Sequence, residues 1–462
     1  MADQSIIRIT KEISEIQKNT DLSLAVAFRD RDVRNVKALI IGTHDTPYEY
    51  GFFEFSFKFN KEYPGKSPSV TCTTTNRGRC RFNPNIYSSG KVCLSILGTW
   101  RGERGEEWSA AQGLESILLS IQSLMSSNPY ENEPGFEDSK DPAAQKEKQQ
   151  YIDKIRHETL RISVIQKLED LLGLGPLKDA AAGSAGAAAG SAEAVSAQTQ
   201  GDVIVLNEHM SDEEDMGTIW EPFRDLCKRR FLWYFHTYLE TIQKAKKEIG
   251  DDQRFVLMPF ESNSNGMHGK FNYTELERRL LRIKTTLDAE ADKWAAEGSS
   301  SKNKDHTVAV NLARQLEQVK EFFKRSDIPH NIELVDGNPF VWLLTYFGRP
   351  MTNFDGGMFK IKISFSPRFP EEQPRVRFLT KVFHHRVTPD GLLCYVLSLN
   401  RHEDVRHHIE AIFSALEEES PPYDPRTQVH PEAYRLYWGG SEGRRMYNRR
   451  LRRSVQESME DF

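Results

Sequence analysis

Strict alternation marks the stretch FFEFSFKFNKEYPGKSPSV, where Phe53, Phe55, Phe57 and Phe59 fall on one side and Glu54, Ser56 and Lys58 on the other. A period of two predicts a strand with one buried face. The alternation returns in MFKIKISFSPRFPEEQPRV at a constant offset of 306, with Phe359, Ile361, Ile363 and Phe365 in the apolar positions. Pro64, Pro68 and Val70 recur as Pro370, Pro374 and Val376. The offset then drops to 301, as though the first copy held five extra residues around NRGRC, and Phe82, Gly90 and Cys93 meet Phe383, Gly391 and Cys394. Two domains sharing one fold are therefore expected.

The period changes to three and four in SAAQGLESILLSIQSLM, where Leu114, Ile117, Leu118, Ile121, Leu124 and Met125 form the stripe of a packed helix. Helix, then meander strands, then helices describe an α+β fold in each copy, not alternating βαβ units. Between the copies, KDAAAGSAGAAAGSAEAVSAQTQGD lacks large apolar residues and reads as a flexible tether. Beyond it Phe223, Leu226, Tyr234 and Tyr238, then Leu276, Leu280, Ile283 and Leu287, predict helices interrupted by a Gly/Ser/Asn loop at 262–269. The expected organisation is a first domain at 1–172, a linker at 173–216, a helical extension at 217–304 and a divergent second copy at 305–455. Near the C-terminus RRMYNRRLRR reads as a basic helix with a solvated face.

Composition narrows the function classes. Across 462 residues, 38% are hydrophobic, enough to bury several cores, and the net charge of -5 offers no global basic field for a phosphate backbone. Nucleic acid is not the expected partner. The five cysteines are odd in number and include no CxxC pair, which argues against a disulfide framework or zinc site and for a reducing compartment. No apolar run approaches the roughly 18 residues that span a bilayer, and MADQSIIRITKE lacks the apolar core of a secretory signal. The expectation is a protein of the cytoplasm or nucleus, without membrane or metal.

The sharpest chemical feature is NPNIYSSGKVCLSILGTW, from Asn83 to Trp100. A lone cysteine is ordinarily a packing residue, but the surroundings of Cys93 are unusual. Pro84 holds the segment before Asn85 rigid and extended, so a carboxamide is set beside the thiol. Such a donor serves an oxyanion. A cysteine hydrolase needs a histidine base, and the first 156 residues contain only His44. Thioester exchange needs none: it requires an accessible sulfur, an oxyanion donor and help in removing an amine's proton.

The order of the alternating strand, FNKEYPGKSPSV, NPN, Cys93 eight residues after Asn85, Trp100, and WSAA at Trp108 resembles the ubiquitin-conjugating enzymes over about 5–172. GKVCLSILGTW, SIQSLMSSNPYENEPGF and HGKFNYTELERRLLRI look most like the Z-type members. The resemblance implies that Cys93 accepts ubiquitin or a ubiquitin-like protein as a thioester from an activating enzyme. It implies that Asn85 steadies the oxyanion when a substrate lysine attacks. The acid or gate residue that the family often places before a proline matches Glu133, or Glu131 as the alternative. No cofactor is bound directly, because ATP is used by the upstream activating enzyme, and ubiquitin ligases are the expected downstream partners. Three positions depart from the family pattern: Asn83 stands for its usual histidine, Ala110 for a proline, and Gly65 where a ligase-contacting side chain is common.

In the second copy the same register puts Arg386 in the place of Asn85 and keeps Cys394, with Asp424 before Pro425. A longer charged donor without a preceding proline is poorly preorganised, so a degenerate domain kept for packing or binding is favoured over a second thioester site. The six nearby histidines (His384, His385, His402, His407, His408, His430) read as surface residues, not metal ligands. At the end of the tether, DVIVLNEHMSDEED offers four β-prone residues, Val203, Ile204, Val205 and Leu206, before an acidic run. It resembles a SUMO-interacting motif, which phosphorylation of Ser211 would strengthen. An intramolecular edge strand is the competing reading. At the level of the whole chain the competing class is a non-catalytic adaptor of the ubiquitin pathway, in which both copies bind and neither carries a thioester.

Overall fold

The computed structural model describes residues 3–18, 22–102, 105–137, 141–175, 220–261, 266–300, 306–325, 330–397 and 401–460. The tether and the strip at 203–206 lie outside these residues. Helix α1 (Gln4–Lys18) presents Ile9, Ile13 and Ile16 to a four-stranded antiparallel sheet, β1 (Leu24–Arg29), β2 (Asp32–Ile41), β3 (Phe52–Lys58) and β4 (Ser69–Cys72), in sequential order. Register pairs Val36 with Phe57, Ala38 with Phe55 and Ile40 with Phe53. The phenylalanines of the alternating stretch thus meet α2 (Leu114–Leu124) in one core with Leu114, Ile117, Leu118 and Ile121. A helix from α3 (Pro142–Glu158) to α4 (Lys167–Leu172) follows, joined without a break by a π-helical stretch over Thr159–Gln166.

Alternation in β3 predicts one covered face, yet the sheet is covered on both. Leu39, Ile41 and Phe52 pack against Leu160, Val164 and Leu168. Gly51 permits this approach, since a Cβ there would meet Ser163 Oγ at 2.5 Å and Thr159 Cγ2 at 2.7 Å. Glu54, on the polar side, is buried and paired with Lys167 at 2.8 Å, which also holds Glu221 at 2.6 Å.

Helices α5 (Arg224–Glu248) and α6 (Tyr273–Ser300) lead to the second copy. There α7 (His306–Lys324) covers the sheet of β5 (Asn331–Leu334), β6 (Val341–Phe347), β7 (Met358–Ser364) and β8 (Arg375–Phe378), with α8 (Val405–Glu417), α9 (Pro431–Tyr437) and α10 (Gly440–Glu460) after it. Phe359, Ile361 and Ile363 face Tyr346, Leu344 and Trp342, repeating the first copy. Cis bonds before Pro64 and Pro370 extend the correspondence to the backbone.

The two copies are not beads on a tether. Helix α5 is buried on every side over Phe231–Phe235, and Phe231, Tyr234, Phe235 and Tyr238 form a third core with residues of both copies. Tyr234 stacks on Tyr50 with centroids 3.8 Å apart, Tyr50 donates to the carbonyl of Pro425 at 2.8 Å, and Tyr234 to that of Arg426 at 2.7 Å. The extension is the wedge through which the two copies pack. No described helix is long and apolar enough to cross a membrane.

Candidate active site

The loop after β4 returns on itself before α2. Ile86 bridges Val92, Tyr87 N–H donates to Lys91 at 2.9 Å, and Cys93 N–H donates to the Asn85 carbonyl at 2.8 Å. Gly90 makes the turn at a φ of +88°, with its α-carbon against the Cys72 carbonyl, where a Cβ would stand 2.5 Å away. The Asn85 carboxamide lies beside the cysteine, its Nδ2 donating to the Cys93 carbonyl at 3.0 Å. The donor is thus held next to the residue whose acyl group it would serve.

Asn83 does the work of anchoring this loop. Fully buried, it donates from Nδ2 to the Tyr48 hydroxyl at 3.0 Å and the Leu124 carbonyl at 2.8 Å, and its Oδ1 accepts from Asn85 N–H at 2.9 Å and Asn132 Nδ2 at 3.3 Å. The departure from the family's histidine therefore leaves the loop pinned at both ends. The two acidic candidates separate. Glu131 turns to Lys148 in an ion pair, whereas Glu133 pairs with Arg81 at 3.2 Å. The same Arg81 Nη2 donates to the Pro84 carbonyl at 2.6 Å, and its guanidinium sits 4.7 Å above the Tyr87 ring. Glu133 is consequently tied to the Asn83–Asn85 segment.

The sulfur is less open than thioester chemistry suggests. Cys93 is 4% exposed, so the expected accessible thiol is corrected to a covered one. Tyr87 is the residue against it: burial raises its phenol pKa, and the charge and hydrogen bond of the neighbouring Cys93 add to the rise. Tyr87 is itself half-buried, with Arg81 4.7 Å and Lys91 5.9 Å from its ring centroid. Tyr87 and Arg81 were not singled out by sequence, although Tyr87 lies inside NPNIYSSGKVC and Arg81 directly follows NRGRC. His44 is engaged by Glu49 at 2.6 Å and by Tyr50 and lies edge-on to Tyr434 of the second copy. With Asp45 and Glu49 it forms a trio of ligand-type groups, accounted for by these ion pairs.

The second copy keeps the loop and changes the groups around its cysteine. Cys394 N–H donates to the Arg386 carbonyl at 2.8 Å, repeating the Cys93–Asn85 bond, and Val387 bridges Leu393. Arg386, however, turns its guanidinium to Glu418 at 2.9 Å. Asp424 accepts from Arg426 N–H at 2.9 Å and pairs with the same side chain at 2.8 Å. Cys394 is 0% exposed, within the core formed by Phe231, Tyr234 and Phe235 of α5, and burial pushes its thiol up to about 11 despite Arg386 and Arg230 nearby.

The reading of the histidines as surface residues is corrected too. His384, His385, His408 and His430 are buried. His385 stacks on Tyr437 and shares a hydrogen bond with Tyr447 at 3.1 Å, His408 bonds Tyr395 at 3.0 Å, and His430 caps α9 through Ala433 N–H at 3.3 Å. Aromatic partners give neutral imidazoles a home that their polarity in sequence conceals. The basic C-terminal segment lies in α10, where Arg444 lies over Tyr437 at 3.3 Å and Arg450 over Phe383 at 4.0 Å and in an ion pair with Glu432.

A family model described as ubiquitin-conjugating enzyme matches residues 8–159 and 311–455. Among curated proteins, ubiquitin-conjugating enzyme E2 Z of Danio rerio is 48% identical over 168 residues, 36% of this chain and 49% of that protein. Its namesake in Homo sapiens is 47% identical over the same length, 46% of that protein. The human dual E2 ubiquitin-conjugating enzyme/E3 ubiquitin-protein ligase BIRC6 is 41% identical over 138 residues, 29% of this chain and 3% of that protein. The chain spans about half the length of the E2 Z relatives it matches.

Proposed function

This chain belongs to the ubiquitin-conjugating enzyme family, and on that premise we propose that it accepts ubiquitin or a ubiquitin-like protein as a thioester on Cys93 and passes it to a substrate lysine or to a ligase. The observation that carries the reading is the pairing of Asn85 with Cys93, carboxamide donor at 3.0 Å from the cysteine carbonyl. In charging, the Cys93 thiolate attacks the thioester that an ATP-dependent activating enzyme holds, and that enzyme's thiol leaves. Tyr87 turns aside for this step. In transfer, the lysine amine attacks the Cys93 thioester, Asn85 donates to the oxyanion, and the Cys93 thiolate departs as the amide forms. The amine's proton goes to solvent with Glu133 as the nearby carboxylate.

The second copy is part of the same proposal as a non-catalytic domain, since its sulfur lies under α5 and its donor is committed to Glu418. The strip Val203–Leu206 remains a proposed SUMO-docking segment, and the cytoplasm or nucleus the proposed place of action. The test is incubation with activating enzyme, ATP and ubiquitin, read on a non-reducing gel. A reductant-sensitive adduct is expected, lost in Cys93→Ala and kept in Cys394→Ala. Asn85→Ala is expected to charge yet to discharge onto lysine roughly 100-fold more slowly. Absence of any adduct on the intact chain overturns the enzymatic reading in favour of an adaptor that only binds.

A further inference from the structure

The connection between α5 and α6 does not stay with the extension. Its described residues, 249–261 and 266–272, pair back on themselves: Asp252 N–H donates to Phe271, Phe271 N–H to Gln253 and Phe255 N–H to Gly269, each at 2.9 Å. From this ladder Met258 and Met267 enter the core of the first copy, with Met267 Sδ 3.5 Å from Cys80 Sγ. Glu261 forms an ion pair with Lys154 of α3 at 2.5 Å, and Lys154 also donates to the Val256 carbonyl at 3.0 Å. His157 accepts from Asn272 N–H at 3.1 Å.

Phe260 reaches furthest toward the chemistry. Its ring packs on Tyr130 at 5.3 Å, Phe136 at 5.4 Å and Tyr151 at 5.4 Å, and Arg81 stands 6.0 Å from its centroid. Tyr130 and Phe136 flank Glu133 in sequence, and Arg81 ties Glu133 to the Pro84 carbonyl beside Asn85. One ring thus braces both the segment that carries the acid and the cation that links it to the oxyanion donor.

We propose that the α5–α6 connection is a positioning element of the Cys93 site, and that Phe260 sets Glu133 and Asn85 for aminolysis through Arg81 and Tyr130. This rests on the thioester reading above. Phe260 touches none of the reacting atoms, so its effect falls on transfer, where Glu133 and Asn85 act, more than on charging, which draws on the thiol itself. The partner it serves is an incoming primary amine. A lysine that is already neutral needs Glu133 least, so the effect diminishes as pH rises.

The experiment uses the full chain, with ubiquitin loading of Cys93 and discharge onto free lysine followed separately. If the unaltered protein does not load, the functional reading fails first and is recognised as such. With loading established, Phe260→Ala is expected to slow discharge about tenfold more than loading. That loss should shrink between pH 7 and pH 9, and Phe260→Tyr should restore the rate. Phe260→Ala combined with Glu133→Gln should lose less than the sum of the two single losses, because residues acting as one unit are not additive. Phe260→Leu replaces Phe260→Ala if the latter melts below the assay temperature. Discharge equal to the unaltered protein, equal losses in both steps, or additive losses in the double variant overturns the proposal.

Discussion

Replacing Glu261 with glutamine removes a charge from a place where water cannot compensate. The side chains of Lys154 and Glu261 are 0% and 1% exposed, and the carboxylate also accepts Met258 N–H at 2.7 Å, a bond the amide can keep. The substitution therefore isolates the ion pair. Breaking a buried pair by removing one partner costs about 3–5 kcal/mol, because the surviving charge is left desolvated. A ceiling follows from titration. Burial already lowers the Lys154 pKa below 10.5 even with its partner present. Shedding that proton at pH 7 costs at most about 5 kcal/mol, from about 1.36 kcal/mol per unit over 3.5 units. The Tyr151 ring 5.3 Å from Nζ softens the loss without replacing a carboxylate.

The sign of the pH dependence is fixed by the same argument. Without Glu261 the folded-state pKa of Lys154 drops further below that of the unfolded chain, so the unfolded chain binds more protons over the interval between them. Stability then rises with pH there, and the deficit of Glu261→Gln should shrink by up to about 1.4 kcal/mol per unit as pH rises from 7 toward 10. Urea unfolding of the full chain at pH 7 and pH 9, read on the transition that includes the first copy, measures both numbers. A deficit below about 1 kcal/mol at pH 7, or one that grows with pH, refutes the claim that this pair is desolvated and joins the extension to the first copy. Lys154→Met with Glu261→Leu should recover most of the loss, since a buried pair replaced by apolar volume is often neutral.

The buried histidines predict a second, opposite trend. Burial holds His384 down to about 3 and His408 down to about 4, below the ordinary 6.5, so their contribution is complete above pH 6.5 and is lost as pH falls through that value toward 4. Together they should destabilise the second copy by roughly 4 kcal/mol between pH 7 and pH 5, seen as lower amide protection in β5–β8 after division by the intrinsic exchange rates, and His408→Gln should reduce the slope; protection independent of pH would contradict their burial. Thiol accessibility gives another check: alkylation of the native protein followed by mass spectrometry should modify Cys93 first and leave Cys394 intact until α5 unfolds. Early labelling of Cys394 would show that the cover is not there.

The repeat at offsets of 306 and 301 was legible because it rests on period-two alternation and on prolines, both local signals. The same holds for α2, whose stripe names its buried face. The nearness of Asn85 to Cys93 was legible because eight residues closed by Gly90 can only return on themselves. The partners of Glu133 and Glu131 were not, because they are cations distant in sequence, Arg81 and Lys148. Nor was the cover over Cys93, which depends on where one tyrosine ring falls. The docking of the α5–α6 connection was invisible for a related reason. Met258, Phe260 and Met267 show no period, and their partners lie more than a hundred residues earlier.

The extension accounts for the different fates of the two cysteines. Helix α5 lies on the second copy, and its buried aromatic face is the surface that seals Cys394. A sulfur in that position cannot present an acyl group without unseating α5, so nothing holds Arg386 to the geometry of a carboxamide, and it is free to pair with Glu418. On the first copy the extension instead packs against Tyr130, Tyr151 and Arg81, while Cys93 has Tyr87 against it. Two parts of the extension therefore act differently: α5 covers Cys394, and the α5–α6 connection packs on the segment around Glu133. Removing the extension should consequently loosen the Cys93 loop as it uncovers Cys394, and the two copies cannot be treated as independent modules.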